Sequence, residues 1–127
     1  VTKILVIDDD DLVRGMMCNV LKKNGYTVLE AENGNVGMEH VRNAGSIALV
    51  ITDILMPDKE GLETITEICA FDPDIKIIAM SGGGKTQDMT FLNLAKKIGA
   101  SKALEKPFRP GDLLEAVQDV LSVKAGD

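Results

Sequence analysis

The sequence predicts an α/β domain, a doubly wound five-stranded parallel sheet with helices on both faces. Three observations carry that prediction. Five short runs rich in β-branched residues alternate with five stretches of helical period, the strand-then-helix rhythm of a parallel sheet. Gly25, Gly45 and Gly99 stand where three of the helices should stop. Two of the runs, Leu49-Val50-Ile51 and Ile75-Lys76-Ile77-Ile78, are apolar nearly throughout, as central strands covered on both sides must be.

The first strand is Lys3 to Ile7, and it closes on four aspartates, Asp8 to Asp11. A helix follows through Leu12, Val13, Met16, Met17, Val20 and Leu21, with Asp10 and Asp11 placed to cap its free N–H groups and to meet its dipole. The second strand is Thr27 to Ala31, the second helix Val36 to Arg42, and the third strand Leu49 to Thr52, which ends in an isolated Asp53. Leu62, Ile65, Ile68 and Cys69 mark the third helix, and Ile75 to Met80 the fourth strand, ending in Ser81. Phe91, Leu94, Ala95 and Ile98 recur at i, i+3, i+4 and i+7 and form the core stripe of the fourth helix, leaving Met89 and Leu92 off that face. Lys102-Ala103-Leu104 is short and polar enough for an edge strand; Glu105-Lys106-Pro107 follows it, then a last helix through Leu113, Leu114, Val117, Val120 and Leu121.

With 127 residues, 45% apolar and 27% charged, the chain is one domain spanning 1–127 with a core that needs no staples. Composition excludes a disordered tail, a collagen-like repeat and a disulfide scaffold. Cys18 and Cys69 lie far apart without metal-ligand spacing, so they read as reduced core thiols of a cytoplasmic protein. Neither a signal peptide nor a membrane span can be built from a four-residue apolar run followed by aspartates. The net charge of -6 is uneven, with 7 basic and 14 acidic side chains in 1–84, 6 and 2 in 85–109, and 1 and 4 in 110–127. An acidic surface repels phosphates over most of the domain, which argues against direct nucleic-acid binding.

In folds of this class the functional crevice lies beyond the carboxyl ends of the strands. Those ends carry Asp8 and Asp9, Asp53, Ser81, and Lys106. Carboxylates converging from separate segments would resist ionisation unless a cation sat among them. An oxygen-only donor set without His or Cys selects a hard cation, most simply Mg²⁺, held by Asp8, Asp9 and Asp53. With Mg²⁺ on one side and the Lys106 ammonium on the other, Asp53 is placed to act as a nucleophile towards phosphorus, and the Ser81 hydroxyl to hydrogen-bond a phosphoryl oxygen. Pro107 directly after Lys106 allows a cis peptide bond.

These residues resemble a response-regulator receiver domain of two-component signalling. The resemblance rests on Val6-Ile7-Asp8-Asp9, on Asp53-Ile54-Leu55-Met56-Pro57 with Gly61 beyond it, on Ser81 after the apolar fourth strand, on Gly99-Ala100, and on Lys106-Pro107-Phe108. It implies the flavodoxin-like strand order 2-1-3-4-5. It further implies that Asp53 is the phosphoacceptor, charged from a phosphohistidine of a sensor histidine kinase or phosphotransfer protein. On the same resemblance the Leu55 backbone carbonyl joins Asp8, Asp9 and Asp53 around Mg²⁺, while Ser81 and Lys106 bind the acyl phosphate. The output is then conformational, passed to an output domain or partner through the face of the fourth helix, fifth strand and fifth helix. Such a domain is a signalling module, limited chemically to Mg²⁺-dependent self-phosphorylation and slow autodephosphorylation. Since the chain starts at Val1, a receiver cut from a longer regulator is one expectation, and a phosphorylation-dependent homodimer is left open beside a monomer.

The chain departs from the family pattern at three places. Ala103 stands where an aromatic residue commonly lies, three before the lysine, so signal transmission has to use other groups such as Met80 and Phe91. Leu55 and Gly83, two after the acceptor and two after the hydroxyl residue, offer no side chain to orient an attacking water, which implies a long-lived phosphoryl group. The loop Ser81-Gly82-Gly83-Gly84-Lys85-Thr86 resembles a relaxed phosphate loop and makes a P-loop-like nucleotide binder one alternative. A haloacid-dehalogenase-like phosphohydrolase is another, since Asp9-Asp10-Asp11-Leu12-Val13 fits its aspartyl-nucleophile pattern; it leaves Asp53 and Met56-Pro57 without a role.

Overall fold

A computed structural model describes residues 2–54, 61–81 and 93–122. The strands are β1 (Lys3–Ile7), β2 (Thr27–Ala31), β3 (Leu49–Asp53), β4 (Lys76–Ser81) and β5 (Lys102–Glu105). The helices are α1 (Asp11–Lys23), α2 (Gly34–Asn43), α3 (Gly61–Phe71), α4 (described over 93–98) and α5 (Pro110–Ser122). All neighbouring strands pair in parallel, in the order β2-β1-β3-β4-β5. The predicted architecture and order are therefore those observed.

Side-chain alternation splits the interior into two cores, one on each face of the sheet. Ile4, Val6, Leu49, Ile51, Ile78 and Met80 meet α1 and α5 through Met17, Leu21, Leu113 and Val117. Leu5, Ile7, Val50, Ile77 and Ala79 meet α2, α3 and α4 through Met38, Val41, Ile65, Ile68 and Ala95. This is why the central strands read as continuous apolar runs, with each successive residue entering the opposite core.

Local chemistry sets the element ends. Asp10 caps α1, its carboxylate accepting from Leu12 N and Val13 N at 3.0 and 3.3 Å. Asn33 caps α2 in the same way at 2.9 Å from Val36 N, so that helix starts at Gly34, ahead of the apolar residues that reveal it. Gly25, Gly45 and Gly99 have φ of 92°, 81° and 138°, left-handed conformations that glycine adopts without strain. Ile75 is held outside β4, its N–H donating to the Asp72 carbonyl at 3.2 Å, and β3, β4 and β5 each run one residue further than predicted.

Two residues assigned to apolar stripes lie on the surface. Leu94 is 43% exposed, because α4 packs through Ala95 and Ile98 and turns its neighbour away. Leu12 is 86% exposed, because the core stripe of α1 runs through Met17, Cys18 and Leu21. Phe91, Met89, Leu92 and the glycine-rich loop 82–86 lie outside the described residues.

Candidate phosphoacceptor and metal site

Strand parity carries the site residues to one place. Asp8 continues the Ile4, Val6 alternation beyond the end of β1, and Asp53 continues Leu49, Ile51 at the end of β3. Both carboxylates therefore rise above the α1/α5 face, and Lys106, two residues after Leu104, joins them from the loop behind β5. Lys106 Nζ donates to Asp8 Oδ2 at 2.7 Å and to Asp53 Oδ2 at 3.0 Å, contacts that span 98 and 53 residues of chain. Asp8 is 0% exposed and Asp53 6%, whereas Asp9 faces solvent.

Burial by itself would lower the Lys106 pKa. The hydrogen bond to Asp8 and the charge and hydrogen bond of Asp53 outweigh it, so the ammonium is held above its ordinary value. The Lys106–Pro107 peptide is cis. One oxygen each from Asp8, Asp9 and Asp53 lie within 4.8 Å of one another. Oxygen donors this close on three separate carboxylates, two of them buried, fit a small hard dication such as Mg²⁺. Leu55 lies outside the described residues.

The backbone around Asp53 is clamped. Ile54 N donates to the Met80 carbonyl at 2.9 Å, Gly61 N to the Ile54 carbonyl at 3.1 Å, and Thr52 Oγ1 to the Asp53 carbonyl at 3.0 Å. A β-carbon on Gly61 would collide with the Asp53 carbonyl oxygen and Ile54 Cα, so α3 approaches the acceptor strand at a distance that only glycine permits. Ser81 is fully buried at the end of β4, and its carbonyl accepts from Lys106 N at 2.7 Å, which joins the fourth strand to the lysine loop. In β4 it follows Ala79 and so faces the α2/α3 side of the sheet, one residue past the Met80 that pairs with Asp53.

Sequence reasoning misses one residue of the site. Arg14 reaches from α1 to the Asp8 carbonyl, Nη1 to O 2.7 Å. Its signal in the sequence is that it occupies the first position of the α1 core stripe, followed by Met17, Cys18 and Leu21 at i+3, i+4 and i+7. Beside the site, an apolar cavity of about 330 Å³ is lined by Val13, Met16, Lys106, Pro107 and Phe108. The two cysteines are free thiols; burial pushes Cys18 up to about 11 and raises Cys69, so both are poor nucleophiles, as core thiols should be.

Residues 4–118 match the family model described as the response regulator receiver domain. The chain belongs to that family. It is 34% identical over 119 residues to the chemotaxis protein CheY of Thermotoga maritima, covering 93% of this chain and 96% of that protein. It is 36% identical over 121 residues to CheY of Bacillus subtilis, with 94% and 98% covered. Among solved structures it is similar to a CheY-like receiver domain protein of Methanospirillum hungatei, with a TM-score of 0.87, 28% identity and coverage of 96% and 94%. A receiver domain protein of Clostridium thermocellum gives a TM-score of 0.87 at 33% identity, with 96% and 95% covered. The receiver is thus a two-component signalling domain, and the phosphohydrolase and nucleotide-binding alternatives give way to it. Among the described residues no helix is long and apolar enough to cross a membrane.

Proposed function

We propose that Asp53 is the phosphoacceptor of this receiver and takes its phosphoryl group from a phosphohistidine on a sensor kinase or phosphotransfer protein. The observation that carries this reading is the three-way approach of Asp8, Asp53 and Lys106 at the strand ends, with Lys106 Nζ 2.7 and 3.0 Å from the two carboxylates. In the transfer a carboxylate oxygen of Asp53 bonds to phosphorus as the P–N bond to the donor imidazole breaks, and the imidazole keeps the electron pair. Lys106 enters that step already charged, and its ammonium is positioned to receive a phosphoryl oxygen in place of a carboxylate. Asp8, Asp9 and Asp53 would hold Mg²⁺, with the Leu55 carbonyl as a further ligand; when bound, the ion neutralises phosphoryl oxygens and relieves the repulsion among the carboxylates.

Ser81 would bind another phosphoryl oxygen. Its backbone bond to Lys106 supports a route by which that binding shifts β5 and α5 towards an output domain or partner, through the face made with α4. Ala103 is partly buried in β5 against the α2/α3 core, so this movement proceeds without an aromatic side chain at that position. The apolar cavity shares Lys106 with the acidic site and adjoins the helix that exposes Leu12. A phosphodonor reaching Asp53 would overlie it, and we assign it to contact with the donor protein.

Intact mass after incubation with Mg²⁺ and acetyl phosphate tests the acceptor. The expected result is a single labile phosphoryl adduct that disappears in Asp53→Asn and in a chelated control. An adduct that persists in Asp53→Asn would place the acceptor elsewhere.

A further inference from the structure

We propose that Arg14 is a positioning residue for the cation site, holding the Asp8–Asp9 turn at the depth where its carboxylates meet Asp53. The inference rests on the assignment of Asp8, Asp9 and Asp53 as cation ligands. Arg14 takes the first place of the α1 stripe that continues through Met17, Cys18 and Leu21, and its side chain is only 15% exposed. All three kinds of guanidinium nitrogen are used. Nη1 donates to the Asp8 carbonyl at 2.7 Å, Nη2 to Asp11 Oδ1 at 2.6 Å and Nε to Glu30 Oε1 at 3.2 Å. The planar fork thereby ties the turn after β1 to the first turn of α1 and to the end of β2, a geometry that a lysine cannot reproduce.

Asp8 is the residue so fixed. Its N–H donates to the Ala31 carbonyl at 3.1 Å, its Oδ1 accepts from Asp10 N at 2.9 Å, its Oδ2 accepts from Lys106, and its carbonyl accepts from Arg14. Of these four restraints, only Arg14 holds the peptide that leads into Asp9, the exposed member of the acidic trio. Releasing it frees Asp9 to swing away from the other two carboxylates.

Charge and positioning predict opposite signs. Arg14 is a cation beside a cation site, so a purely electrostatic role means that its neutralisation tightens Mg²⁺ binding. A positioning role means that binding weakens, in the way that loss of an outer-shell partner weakens a metal site by roughly 10-fold or more. The experiment is a Mg²⁺ titration of the unphosphorylated protein, followed by calorimetry and by the Mg²⁺-dependent rise in melting temperature, on wild type, Arg14→Gln, Arg14→Lys and Glu30→Ala. We expect the dissociation constant to rise about 10-fold in Arg14→Gln and at least about 3-fold in Arg14→Lys, which keeps the charge but loses the fork. Glu30→Ala removes a half-exposed anchor without threatening the fold, and about a 2-fold rise is expected. Binding that is unchanged or tighter in Arg14→Gln overturns the inference, as does a lowered melting temperature with unaltered Mg²⁺ affinity. Failure of the wild type itself to bind Mg²⁺ would instead overturn the ligand assignment, and the inference with it.

Discussion

Lys106→Met removes the ammonium from between two buried carboxylates while keeping most of the side-chain stem. The remaining Asp8 and Asp53 oxygens lie within 4.8 Å of each other, and at an effective dielectric constant of about 20 that corresponds to roughly 3.5 kcal/mol of repulsion. Breaking a buried ion pair from one side costs about 3–5 kcal/mol, so the two estimates agree. The expected loss in Mg²⁺-free buffer near neutral pH is therefore about 3 kcal/mol, or roughly 10 °C in melting temperature for a domain of this size. Urea denaturation measures it as a lower midpoint at unchanged slope. Saturating Mg²⁺ should narrow the gap by restoring positive charge. Because the Lys106 pKa is raised in the fold, its contribution is fully present below the unfolded value of about 10.4 and is lost as pH rises through the folded value. The difference between wild type and variant should accordingly hold from neutral pH to about 10 and close above it. A variant as stable as wild type in chelated buffer would refute the reasoning, since Lys106 would then not be what stabilises the close approach of Asp8 and Asp53.

Two further substitutions separate the frame of the site from its charge. Gly61→Ala drives a methyl group into the backbone of Asp53 and Ile54, and should cost about 3 kcal/mol in urea melts and slow adduct formation from acetyl phosphate; wild-type phosphorylation in this variant would show that the close approach is not what seats the acceptor. Asp9→Asn removes one exposed charge from the trio, and should raise stability in chelated buffer by about 1 kcal/mol while weakening Mg²⁺ more than about 10-fold by calorimetry. A loss of stability in chelated buffer would contradict it.

The parts of the molecule set by periodicity are legible in the amino-acid sequence. β1 and β2 fall on the predicted residues, because each is a short run between sharp polar or turn boundaries, and Asp10 and the three turn glycines act where their chemistry requires. The acidic trio and Lys106 are legible as strand-end residues, since each closes a run whose direction is fixed by parallel pairing. Leu12 and Leu94 mislead, because an apolar residue beside the buried stripe satisfies its spacing while lying outside the angle the helix buries. Arg14 escapes for the converse reason. A charged side chain on the buried stripe reads as an interruption of the pattern, and only the Asp8 carbonyl and Glu30 reveal it as a tether. Gly61 is legible as part of the family motif, but its necessity is steric and depends on how close α3 comes to β3.

The lysine that completes the site arrives 98 residues after its first partner. During synthesis a chain that has already produced β1 to β4 carries the buried carboxylates without Lys106, so compact forms lacking β5 and α5 are penalised by the repulsion that Lys106 removes. Competence to receive a phosphoryl group therefore waits for β5 and the lysine loop behind it, the late part of the domain. A half-made domain is poorly able to intercept the signal meant for a finished one.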